Sequence, residues 1–161
     1  MVTTWGSFDA TGFVAASRAA WARGVEVAHL LGGTSVDVAG DRAVAWTRIT
    51  IQQRGALDGV AVDVTCTGRF FDLFERRLGR WAIVLRQPTY ERDRLDPVEP
   101  GAAVALDTEL LTEFPIGYCH LAYLQTRSGL TVARDLPGLR GPAVDALHAR
   151  GASWLAGGTV A

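Results

Sequence analysis

Residues 25–52, VEVAHLLGGTSVDVAGDRAVAWTRITIQ, decide the fold. Two β-rich runs meet at Ala39-Gly40-Asp41-Arg42, where Gly-Asp supplies the positive φ that a tight hairpin turn needs. Pairing Val38 with Ala43 and Val36 with Ala45 sets small apolar side chains opposite one another, and that face continues through Thr47, Ile49 and Ile51. His29 has the wrong parity for this face unless the strand holds one extra residue. Gly32-Gly33 supplies it. A β-bulge there places Leu31 near Ile49 and His29 near Ile51, turning the imidazole into the apolar concavity of a bent sheet. The bland alternative is a core histidine hydrogen-bonded to a backbone carbonyl.

Residues 60–93, VAVDVTCTGRFFDLFERRLGRWAIVLRQPTYERD, repeat the pattern and predict a four-strand antiparallel meander. A long aromatic and β-branched run turns at Leu78-Gly79, and Trp81, Ile83 and Leu85 alternate along the return strand. Gly68-Arg69 interrupts mid-strand. Glycine there permits a close approach or a sharp bend, and an arginine among apolar neighbours either snorkels out or holds an anion. Asp72 lies three residues beyond Arg69, so a regular strand puts the two on opposite faces and they should not pair.

The runs AHLLG at 28–32, VAGDRAVA at 38–45 and TGRFFDLFERRLGRWAIVLR at 67–86, in this order and spacing, resemble the SnoaL-like branch of the nuclear-transport-factor-2-like superfamily. That branch includes polyketide cyclases, dehydratases and a dehydrochlorinase. The resemblance implies an α+β fold: a cone-shaped, strongly curved antiparallel sheet closed by helices around one pocket. It implies that His29 corresponds to the histidine acting as general base or acid, and Arg69 to a pocket arginine holding an anion or leaving group. Those enzymes pair the histidine with an aspartate on a first helix ahead of the matched region, and this chain is expected to lack that helix. With no lysine in the chain, a pocket lysine is excluded.

A length of 161 residues with 48% hydrophobic residues is that of one core-burying unit, read as a cone over residues 1–93 and a C-terminal extension over 94–161. The extension is expected to pack on the cone or on a neighbouring subunit. Sixteen basic against seventeen acidic residues give a net charge of −1, no footprint for nucleic acid or an anionic membrane. All the basic residues are arginine, a compositional bias with no mechanism attached. Cys66 and Cys119 lack the spacing of a metal site or disulfide framework and read as buried small hydrophobes. No signal peptide or membrane-spanning run is visible, so a cytoplasmic location is expected.

Outside the meander, Asp9 or Thr11 caps a helix ending at Gly24 with an apolar stripe of Phe13, Ala16, Ala20 and Trp21. Residues 91–103 read as a proline-broken loop, 106–114 as a short helix, 120–136 as a β-hairpin turning at Ser128-Gly129, and Gly141-Pro142 through Trp154 as a helix with stripe Val144, Leu147 and Trp154. Tyr118, His120 and Tyr123 are candidates to complete the pocket, packing being the plainer reading; His148, off its stripe, is expected in solvent. Together with Trp21, Leu31, Thr47 and Ile49 they form the expected substrate-binding set around His29 and Arg69.

No P-loop, dinucleotide fingerprint, nucleophile elbow or metal-ligand spacing is present, which leaves cofactor-free acid–base chemistry. One reading is a lyase or isomerase acting on a hydrophobic ring-containing small molecule, with no cofactor and no metal. The other is a non-catalytic ligand-binding or oligomerisation module of the same fold. Both carry the expectation of a homo-oligomer, a dimer or trimer.

Overall fold

Tight turns build the sheet. In the computed structural model, which describes residues 1–160, Gly40 (φ 59°) joins β3 (Glu26–Ala39) to β4 (Arg42–Leu57). Asp58-Gly59 then joins β4 to β5 (Val60–Arg77), and Leu78-Gly79 joins β5 to β6 (Arg80–Pro97), each with both central residues at positive φ, the twist-matched hairpin turn. The strands lie in the order β3-β4-β5-β6, a curved antiparallel meander as the sequence predicts. Its register has Val38 opposite Ala43, Val36 opposite Ala45, Leu31 opposite Ile49 and His29 opposite Ile51, with the irregularity falling between Leu31 and Thr34 at the glycine pair.

A two-residue ladder of β1 (Val2–Thr3) and β2 (Gly6–Ser7) precedes α1 (Ala10–Ala22), whose N-terminus is capped by Asp9 accepting from the Gly12 N–H at 2.7 Å. Short α2 (Thr108–Thr112) starts at Asp107 and leads to α3 (Cys119–Arg127); α4 (Pro142–Leu155) closes the chain. No helix among the described residues is long and apolar enough to cross a membrane. Ala161, the last residue of the expected extension, lies outside the described residues.

Each face of the sheet receives one C-terminal helix. On the inner face, Leu121, Ala122 and Leu124 of α3 pack against Ile49, Ile51, Val62, Val64 and Cys66. On the outer face, Leu147 and Trp154 of α4 pack against Val44, Phe71 and Leu73, and the Trp154 indole donates to the Phe74 carbonyl at 3.0 Å. Burial of the leucine, isoleucine, valine and phenylalanine side chains among these stabilises by about 1.5–3 kcal/mol each.

Two sequence expectations are corrected. The hairpin expected over 120–136 is helix α3: its buried residues surround nearly the whole helix, so no polar face marks the period, and Ser128-Gly129 ends the helix instead of turning a hairpin. The loop expected from residue 91 is still strand β6 as far as Pro97, because β6 is a sheet edge and an edge tolerates proline. His148 is exposed, as expected, and also stacks on the Trp46 ring at 4.7 Å.

Candidate functional site

The inner face of the sheet, α1 and α3 enclose a cavity of about 870 Å³. Thr4 and Trp5 enter it from the N-terminal segment, Phe13 and Trp21 from α1, His29 and Leu31 from β3, Phe70 from β5, Arg86 and Tyr90 from β6, and Leu121 and Gln125 from α3. The apolar stripe of α1 lines this space, and no α1 residue is buried.

His29 reaches the cavity because the bulge corrects its parity. Its place on the edge strand leaves the residue exposed overall, yet desolvation of the ring lowers its pKa below the usual 6.5, and the nearby Arg86 charge lowers it further. The imidazole is therefore neutral at neutral pH, and among the described residues nothing hydrogen-bonds to it. No Asp or Glu is among the described residues lining the cavity.

Arg86 is a cation fixed in the cavity wall. Its Nε and one terminal nitrogen donate to the two oxygens of Asp72, each at 2.7 Å, and Asp72 is only 1% exposed. Its guanidinium carbon sits 4.2 Å above the centre of the Phe70 ring. Further along β6, Tyr90 is buried, and burial pushes its phenol pKa upward, only partly opposed by a hydrogen bond with Thr4. Thr4 also donates to Gln125 at 2.6 Å, and Gln125 donates to Gln53 at 3.0 Å, a buried polar chain along the wall.

The sequence-predicted residues divide between cavity and elsewhere. Trp21, His29 and Leu31 line the cavity. Arg69 does not: it stands opposite Arg48 on the outer face, where it donates to Glu91 at 2.8 Å, and Asp72 is indeed not its partner. Thr47 bonds Thr34 hydroxyl to hydroxyl at 3.0 Å outside the cavity, and Ile49 is buried under α3. Tyr118 packs on Tyr90 with ring centres 4.8 Å apart while its hydroxyl donates to the Ala133 carbonyl. The Tyr123 hydroxyl accepts from the Asp107 N–H. His120 is paired with Asp93 away from the cavity lining.

Arg86 and Tyr90 went unnoticed in the sequence. Gly68, singled out there, permits a close approach of backbone: a Cβ at this position would lie 2.1 Å from the Thr89 carbonyl oxygen, next to a register shift between β5 and β6.

A curved four-strand meander with helices around a single-histidine cavity defines a SnoaL-like domain of the nuclear-transport-factor-2-like superfamily, and the SnoaL-like domain model matches residues 2–87, more than half of the chain. The chain belongs to that family. It is 39% identical over 142 residues to pea pathogenicity protein 2 of Fusarium vanettenii, and 38% identical over 142 residues to a PEP2-like protein of the same fungus. Each match covers 86% of this chain and 61% of the relative. An uncharacterized protein of Emericella nidulans is 34% identical over 171 residues, covering 96% of this chain and 72% of its own length.

Proposed function

We propose that this domain binds a hydrophobic, ring-containing small molecule and performs cofactor-free acid–base chemistry on it, of the lyase or isomerase kind. The observation that carries the reading is the neutral His29 imidazole, without a hydrogen-bond partner among the described residues, in the same apolar cavity as an Arg86 locked by Asp72. A neutral imidazole can take a proton α to a carbonyl. Arg86 then stabilises the enolate charge that develops, and the aromatic walls hold the ring. Elimination, isomerisation and cyclisation share this first step.

One observation favours the second reading, a ligand-binding module without catalysis: no carboxylate among the described residues lining the cavity orients the imidazole. A single experiment separates the two. The protein is incubated in D2O with a panel of cyclic ketones, and exchange at the α-carbon is followed by NMR. Catalysed exchange that falls about 100-fold or more in His29→Gln supports the enzyme. Binding of panel members without exchange supports the module, and exchange indifferent to His29→Gln removes the proposed base.

We also propose a homo-oligomer formed through β3, the exposed edge of the sheet.

A further inference from the structure

At the N-terminal end of α3, outside the cavity, three donor atoms converge from two elements. Asp93 on β6 turns to the inner face opposite Cys66, its side chain fully shielded from solvent. Its Oδ1 lies 2.9 Å from His120 Nδ1 and 3.7 Å from Cys119 Sγ, and these two atoms are 3.5 Å apart. Its other oxygen, Oδ2, accepts from the Leu121 N–H at 2.7 Å, which fixes the carboxylate with Oδ1 turned to the other two groups.

The triangle has the dimensions of one face of a small tetrahedron. A point about 0.7 Å above its plane lies about 2.1 Å from all three atoms, the bond length of zinc to imidazole nitrogen and carboxylate oxygen and about 0.2 Å short of zinc to thiolate. Sulfur, nitrogen and oxygen together suit a borderline cation and not magnesium or calcium, which prefer oxygen alone.

We propose that Asp93, Cys119 and His120 form a binding site for a divalent cation of the zinc class, with a fourth position for water or an added ligand. The His120 side chain is 26% exposed and gives the ion its route in. On binding, the Cys119 thiol loses its proton to solvent and the sulfur takes the metal. His120 binds the ion through Nδ1 with its ring proton on Nε2, any second proton leaving to solvent, and the carboxylate keeps its bond to Leu121. The ion then staples α3 to β6, tying the helix to the edge of the sheet it covers.

The same contacts also arise if the carboxylate only accepts three hydrogen bonds, and the test separates the two arrangements. Tag-free protein, stripped with a chelator, is titrated with Co2+ alone and read by absorbance. The expected result is one equivalent bound, with the intense visible bands of tetrahedral cobalt and a thiolate-to-cobalt charge-transfer band in the near ultraviolet, all abolished by added Zn2+. Cys119→Ala removes the charge-transfer band and weakens binding at least tenfold, and His120→Ala weakens binding similarly. His29→Ala and His148→Ala change neither. Far-ultraviolet circular dichroism of each metal-free variant establishes that it is folded. Absence of saturable binding at micromolar cobalt, or binding indifferent to folded Cys119→Ala and His120→Ala, overturns the proposal.

Discussion

At the scale of single residues, the cavity rests on an imidazole and a guanidinium that share one face. The His29 pKa lies below 6.5, through desolvation first and the Arg86 charge second. Between 6.5 and that lowered value the unfolded chain binds a proton at His29 that the native state refuses. The stability owed to the neutral ring is therefore complete above pH 6.5 and is lost as the pH falls through this window. Titration of the imidazole by NMR should give a midpoint below 6.5, and His29→Gln should flatten the acid side of the stability curve. A midpoint at or above 6.5 removes the neutral base. The two arginines should separate cleanly in urea unfolding. Arg69→Ala breaks a partly exposed outer-face pair and should cost less than about 1 kcal/mol. Arg86→Ala strands the buried Asp72 carboxylate and should cost about 3 kcal/mol, with Asp72→Ala/Arg86→Ala recovering part of it. Equal losses would mean that Asp72 is not held as described. Arg69 could have been placed from sequence: the two-residue turn at Asp58-Gly59 pairs Leu57 with Val60 and, counted back, Arg48 with Arg69, on the face away from His29. Arg86 could not, because the register shift between Leu73 and Phe74 that brings it opposite Asp72 carries no glycine to mark it.

At the scale of elements, α3 covers the inner face of the sheet and ties three parts of the chain together. Gln125 is its pivot, accepting from Thr4 beside β1 and donating to Gln53 on β4, all three buried. Gln125→Leu keeps the volume but leaves the buried Gln53 side-chain oxygen without its donor and Thr4 with only its bond to Tyr90, so it should destabilise by about 1–3 kcal/mol. Because Thr4 is a cavity residue, the same change should also loosen the N-terminal segment, measurable as faster amide exchange across residues 2–8. Unchanged stability and exchange would show that the polar chain is incidental. The meander was legible because its turns and its paired glycines are written locally. Helix α3 was not: a helix buried on most sides shows no polar period, and its Tyr118, His120 and Ala122 spacing reads equally as a strand. The path of β6 past Pro88 was hidden for another reason, that proline is forbidden only to a strand with neighbours on both sides.

At the scale of the whole molecule, the two edges of the sheet are built differently. Edge strand β6 carries Pro88, Pro97 and four arginines, the features that discourage a further strand from pairing. Edge strand β3 has fourteen residues without a proline or arginine, all exposed, with Leu30, Leu31, Val36 and Val38 each more than half uncovered. Such an edge invites another strand, and the proposed occupant is a second copy. An antiparallel two-fold centred on Gly32-Gly33 sets Glu26 opposite Ala39 and Asp37 opposite Ala28, so no like charges meet. The pairing would also cover the apolar side chains beside the cavity mouth, where Leu31 and His29 stand. Light scattering on the purified chain should therefore give a mass at least twice 17.3 kDa. Leu30→Lys/Val36→Lys, two changes at exposed positions, should yield a folded single chain, because charges on an edge oppose strand addition. A wild-type protein that stays single at high concentration, or a double variant that keeps its size, would leave β3 to be covered by something other than its own copy. The longer relatives, of which this chain matches 61%, would then be the place to look for the covering segment.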